Sequence, residues 1–158
     1  FLDVSHLNDA GFLDVMEVAT QPVIASHSNC RALAQTMRNL TDQQIKAIAA
    51  KDGVIGMNSV NVFVRDNTPE ATLADLADHV DHIVQLCGIR HVGLGLDLCD
   101  SFRNFLQLPS AIESRDTLPS HAELGVFTET LLKRGYGDAD ILAVLGGNFL
   151  RIFAAIIG

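Results

Sequence analysis

Four apolar runs rich in β-branched residues punctuate the chain, at Phe1–Ser5, Pro22–Ser26, Gly53–Val60 and His91–Asp97. Near-continuous hydrophobicity, as in Val54-Ile55-Gly56-Met57, fits strands covered on both faces, the pattern of parallel sheets. Helical periods fill the gaps. Asp9 to Ala19 is the first helical segment, and Thr41-Asp42-Gln43-Gln44 is a capping box ahead of Ile45, Ile48 and Ala49. Thr68-Pro69 places a cap before a proline at the first helical position. From there Leu73, Leu76, Ala77, Val80, Ile83, Val84 and Cys87 share one face, and Gly88 supplies the stop.

Beyond Asp97 the pattern weakens. Ser101 to Pro119 reads as a long loop. Ser120-His121-Ala122-Glu123 is a second capping box, leading into Leu124, Phe127, Leu131 and Leu132, and Gly135-Tyr136-Gly137 breaks that helix. Asp138 is expected to cap a helix over Ile141–Leu145, and Asn148 the last one, Leu150–Ile157. The order β-α-β-α-β-α-β followed by helices predicts an α/β fold with parallel strands. Four strands are half of an eight-stranded (β/α)8 barrel, which takes about 250 residues. The 158 residues here therefore read as one segment, 1–158, either an open sheet or about half of a TIM-like barrel.

Composition narrows the function. Hydrophobic residues make up 48% and charged residues 19%, as in a globular chain with a core. Eleven basic against nineteen acidic residues give a net charge of −8. That excludes the basic footprint of nucleic-acid binding. No run approaches the roughly 18–20 apolar residues of a membrane span, and Phe1–His6 lacks the basic start of a signal peptide. A cytoplasmic location is the resulting expectation. Cys30, Cys87 and Cys99 form no CxxC pair and read as reduced thiols.

His6 and His27 carry the chemistry. Each follows a strand-like run and a serine, in Phe1-Leu-Asp-Val-Ser-His6 and Pro22-Val-Ile-Ala-Ser-His27. In a barrel of parallel strands that end of the strand is the catalytic face, and two imidazoles there point to a metal. The plain alternative is a hydrogen-bonded loop residue in each case. His79 and His82 sit three apart on a helix with Asp78 and Asp81 and read as packing or surface residues. His91 reads as a strand-entry residue, His121 as a capping-box filler, and Cys99 as a spectator thiol.

At seven places in order the chain resembles the C-terminal half of the membrane (renal-type) dipeptidases, zinc peptidase family M19. The fragments are Asp3–His6, Pro22–Leu33, Arg38–Asp42, Gly53–Asn58, Ala77–Ile83, Val92–Asp97 and Gly147–Phe153. The resemblance implies a (β/α)8 barrel with two zinc ions bridged by a glutamate, cleaving dipeptides. It implies that His6 and His27 ligate one zinc, that Arg38 holds the substrate carboxylate, and that Asp97 is the acid/base residue. The bridging Glu and an HxD ligand pair would come from the N-terminal half, absent here. One departure stands out. The family usually reads Asp-Phe-Asp-Gly where this chain reads Asp97-Leu98-Cys99-Asp100, so no role passes to Asp100.

These residue types suit the chemistry. Arginine's planar fork can donate two parallel hydrogen bonds to a carboxylate, and an aspartate at a strand end can carry a proton between water and a leaving amine. Arg38 as a surface or helix-cap cation and Asp97 as a turn former remain open. The expectation is a zinc-dependent dipeptidase in the intact enzyme, with this chain inactive alone and pairing with its missing half or a second copy. The rival is a non-catalytic half-barrel that binds a peptide or partner.

Overall fold

The computed structural model describes residues 1–66, 70–100 and 114–158. Four short strands, β1 (Leu2–Asp3), β2 (Val23–Ala25), β3 (Val54–Met57) and β4 (Val92–Leu94), form one sheet in that order. All three pairings are parallel, with Asp3 opposite Ile24, Ala25 opposite Ile55 and Met57 opposite Leu94. The expected parallel α/β arrangement is present. Each strand is shorter than its apolar run.

Helices α1 (Asp9–Val18), α2 (Asp42–Ala50), the single turn α3 (Asn61–Val64) and α4 (Leu73–Cys87) connect the strands. After β4 come α5 (Leu124–Lys133), α6 (Asp138–Leu142) and α7 (Asn148–Ile157). The Thr41–Gln44 capping box forms as read. The expected Thr68-Pro69 start lies outside the described residues. Helix α4 begins at Leu73 under a different box, Thr72 with Asp75, and ends at Gly88 with φ 93°. Most of the expected loop, 101–113, also lies outside the described residues, while Asp116 bridges antiparallel to Val60.

Alternation along the strands makes two apolar layers. Val23, Ala25, Ile55, Met57 and Val92 face Ile45, Ile48, Leu76, Val80 and Ile83 of the helices. Burying side chains of this size stabilises by about 1.5–3 kcal/mol each. On the opposite face Ile24 and Val54 pack against Ile152, Phe149 and Ile156 of α7.

Three expected caps do not form. Ser120 makes no side-chain cap, and His121–Glu123 is a 3₁₀ turn ahead of α5. Gly137 precedes α6, and its N–H is taken by Asp140 while Asp138 sits inside the helix. Asn148 is buried at the start of α7, where its amide donates to the carbonyls of Ile89 (2.8 Å) and Val92 (2.7 Å). A buried carbonyl left unpaired costs about 1–3 kcal/mol, so these acceptors draw Asn148 onto the sheet.

One stretch bears on the expectation about membrane spans. Asp138–Ile157 is 20 residues long and apolar enough to cross a membrane by length and composition. A kink at Gly146 (φ 169°, ψ −22°) interrupts it. Arg151 ties it to the sheet through the Asp52 carboxylate (2.7 Å) and the Arg90 carbonyl (3.1 Å).

Asp9, in the first turn of α1, locks that helix to its neighbours. It accepts two bonds from Arg31, at 2.9 and 2.8 Å, and one from Gln44 of α2 at 3.0 Å. The Arg31 and Gln44 bonds hold its pKa down at about 2. A carboxylate depressed on folding stabilises fully above its unfolded value, about 3.9, and that stabilisation fades as pH falls through the folded one. Asp9→Asn should therefore lower the urea midpoint at neutral pH. The gap to wild type should close between about pH 4 and pH 2, as a pH series of unfolding curves would read.

Candidate metal and substrate site

All four strands end at one rim, and each carries a polar residue onto it: Ser5-His6 after β1, Ser26-His27 after β2, Asn58 after β3 and Asp97 after β4. His6 and Asp97 hold left-handed backbone angles, φ 72° and 55°. Non-glycine residues in that region are uncommon, and they concentrate at functional sites.

The two histidines converge. Their Nε2 atoms stand 2.9 Å apart, with ring planes at 60°. Two nitrogens each about 2.0–2.1 Å from one zinc stand about 2.9 Å apart at a right-angled geometry and about 3.3 Å apart at a tetrahedral one. The pair fits a shared ion. Burial lowers the His27 pKa, reinforced by Arg38 and His6 and opposed by Asp97 and Asp3. That favours the neutral ring a metal needs. Among the described residues no group of three or more His, Cys, Asp or Glu side chains is placed to hold a metal. Two imidazoles are fewer than the ligands a metal site takes.

Two glycines let the His27 loop sit where it does. The Ser26 carbonyl lies so close to β3 and β4 that a Cβ on Gly56 would fall 2.1 Å from its oxygen, and one on Gly95 1.8 Å. Ser5 Oγ then receives the His27 N–H at 3.0 Å, and Gly56 O receives that of Ser28 at 2.7 Å.

Arg38 reaches the same rim. One guanidinium nitrogen, Nη2, donates to the His27 carbonyl at 3.3 Å, and the group lies 5.3 Å over the Phe63 ring. Its other terminal nitrogen, Nη1, is buried with no hydrogen-bond partner. A buried cationic donor left open in this way is poised for an anion, since such groups are costly to leave unpaired. Burial lowers the Arg38 pKa, against the attraction of Asp97 and Asp3.

Asp97 accepts from Asn58 Nδ2 at 3.0 Å through Oδ2. Asn58 is itself fixed by Asn29, which accepts the Asn58 N–H at 3.0 Å and donates to its carbonyl at 2.9 Å. The unusual segment after Asp97 is fastened from below: Asp116 Oδ2 accepts the N–H groups of Cys99 (2.9 Å) and Asp100 (2.8 Å). Asp100 in turn accepts from the Asp116 backbone at 3.1 Å. The displaced acid holds the loop.

His79 and His82 fall where the packing or surface reading puts them. His79 is fully buried, accepting from Cys30 N–H and bonded to the Val64 carbonyl. His82 pairs with Asp42 at 2.7 Å, and buried His91 contacts the Gly53 carbonyl. The sequence reading missed Asp3, Ser26, Asn29 and Asn58 as site residues. Asp3 Oδ2 stands 2.5 Å from Ser26 Oγ, which lies 2.7 Å from His27 Nδ1. The only trace in sequence is a polar residue inside or just after each apolar run.

A family model for membrane dipeptidases (peptidase family M19) matches residues 1–157. An uncharacterised protein in the pqqA 5′ region of Klebsiella pneumoniae is 36% identical over 154 residues, which are 96% of this chain and 53% of that protein. Dipeptidase 3 of Rattus norvegicus is 32% identical over 155 residues, 98% of this chain and 30% of that protein. Among solved structures, a metallopeptidase of Rhodobacter sphaeroides, liganded with a phosphinate mimic of the dipeptide L-Ala-D-Ala, superposes with a TM-score of 0.83 at 27% identity. The match covers 98% of this chain and 42% of that one. The chain thus spans about half the length, or less, of the relatives it matches. On the family match along its whole length, this chain belongs to the membrane dipeptidases of peptidase family M19.

Proposed function

We propose that the protein carrying this chain is a zinc-dependent dipeptidase whose active site is built partly from this rim. The carrying observation is the convergence of the His6 and His27 Nε2 atoms at 2.9 Å beside an arginine with an unpartnered buried nitrogen. His6 and His27 are the ligands this chain contributes to one of two zinc ions. The further ligands such a site needs would come from parts of the intact protein outside this chain. When bound, zinc supplies Lewis acidity, polarising the scissile carbonyl and making water a stronger acid.

The chain's own groups do the rest. Arg38 receives the C-terminal carboxylate of the dipeptide on its open Nη1, which sets the distance from free C-terminus to scissile bond. Asp97, with Oδ2 held by Asn58, takes a proton from the attacking water and returns it to the leaving amine.

The test is hydrolysis of free dipeptides by the intact protein. Turnover should require zinc, disappear with a chelator and return on adding zinc. The fastening of Asp97-Leu98-Cys99-Asp100 to Asp116 favours one rival, a non-catalytic peptide-binding module. Dipeptide binding without turnover at any zinc concentration would establish that rival.

A further inference from the structure

Asp3, Ser26 and His27 form a chain of hydrogen bonds with only one consistent arrangement of protons. The Asp3 carboxylate accepts at Oδ1 from the N–H groups of Ser5 and Ser26, each at 3.0 Å, and Oδ2 lies 2.5 Å from Ser26 Oγ. A carboxylate with two backbone donors already on it takes the serine proton as well, in a short charge-assisted bond. A serine hydroxyl has a single proton. With that proton on Asp3, Ser26 Oγ faces His27 Nδ1 at 2.7 Å as an acceptor. The imidazole proton must then sit on Nδ1, and the lone pair on Nε2 points at His6.

We propose that Asp3 and Ser26 are positioning residues that fix the tautomer of His27, so that Nε2 is presented unprotonated to a metal shared with His6. This rests on the metal reading of the two histidines and deepens it. Partners of this kind orient ligating imidazoles, and losing one typically costs about 10–100-fold in metal affinity. The register of the sheet builds the relay. Asp3 pairs with Ile24 across β1 and β2, which leaves Ser26 two residues beyond the pair and within reach of the carboxylate.

Asp3→Asn is the sharp variant. Its side-chain oxygen keeps the two backbone bonds while its amide replaces Oδ2 and donates to Ser26 Oγ. The serine proton is then released to His27 Nδ1 at 2.7 Å or to Ser5 Oγ at 3.5 Å, so Nδ1–H is no longer enforced and Nε2–H becomes populated. Nitrogen-15 NMR of the metal-free intact protein, above the histidine titration range, reads the tautomer directly. The expected result is Nδ1–H alone on His27 in wild type, the Nε2–H form appearing in Asp3→Asn, and zinc affinity lower by about 10–100-fold. Ser26→Ala should lose affinity to a similar degree, and Ser26→Thr, which keeps the hydroxyl, should restore it. An unchanged tautomer in Asp3→Asn, or full affinity in Ser26→Ala, overturns the relay. If Asp3→Asn fails to fold, the two Ser26 variants decide. The outcomes separate cleanly: wild-type protein that binds no zinc defeats the metal reading, whereas zinc binding with an indifferent tautomer defeats only the relay.

Discussion

Gly95→Ala should unseat the metal site and destabilise the fold together. The added Cβ would fall 1.8 Å from the Ser26 carbonyl oxygen and 3.1 Å from His27 Cα. Both are backbone atoms, so no side-chain rotation relieves the clash, and the Ser26–His27 segment must move away from Gly95. Overpacking of this kind costs about 1–3 kcal/mol. At about 2–4 °C per kcal/mol for a chain of this size, the melting temperature should fall by about 2–12 °C. The larger effect is on chemistry. Misplacing a reacting group by about 1 Å can cost about 100-fold in rate, and His27 is carried directly on the displaced backbone. Gly125→Ala is the contrasting substitution. It is an exposed position of helix α5 with nothing within 4 Å of the new Cβ, so it should stabilise by about 0.5–1 kcal/mol. Paired thermal melts and zinc titrations would check both. Unchanged melting and affinity in Gly95→Ala would contradict the packing described for Ser26.

Arg38→Ala should cost the enzyme its preference for a free C-terminus. Arg38 brings a buried, unpartnered Nη1 to the rim and holds its position through the His27 carbonyl and the Phe63 ring. Removing one side of a buried charged pair typically costs about 2–5 kcal/mol. That corresponds to about 30- to several-thousand-fold in kcat/KM, borne mainly by KM if the carboxylate is gripped equally in ground and transition states. An amidated dipeptide should be a poor substrate for wild type. In Arg38→Ala the free and amidated substrates should become nearly equal. Arg38→Lys should not recover the preference, because an ammonium on a flexible stem cannot reproduce the planar fork. Kinetics on the substrate pair give the answer. A preference ratio that survives Arg38→Ala would place the carboxylate elsewhere.

The parts of this structure that were legible in sequence are those encoded locally. Val54-Ile55-Gly56-Met57 announces a strand buried on both faces, and Thr41 to Gln44 announces a capped helix, because both signals lie within a few residues. His6 and His27 were legible as a pair because the Ser-His repeat marks two equivalent strand ends. What was not legible depends on register. Asp3 looks like a polar interruption of an apolar run until pairing with Ile24 sets it beside Ser26. Asn58 looks like a strand terminus until Asn29 turns it toward Asp97. Asn148 reads as a helix cap, yet the unpaired carbonyls of Ile89 and Val92 claim its amide.

The central claim is that His6 and His27 share one metal ion. Elemental analysis of zinc retained after dialysis by the intact protein, by His6→Ala and by His27→Ala tests it most directly. Each single variant should lose the same one equivalent of zinc, and the double variant should lose no more than either. If either variant keeps the wild-type content, the 2.9 Å approach of the two Nε2 atoms is a hydrogen bond between loop residues and the metal lies elsewhere.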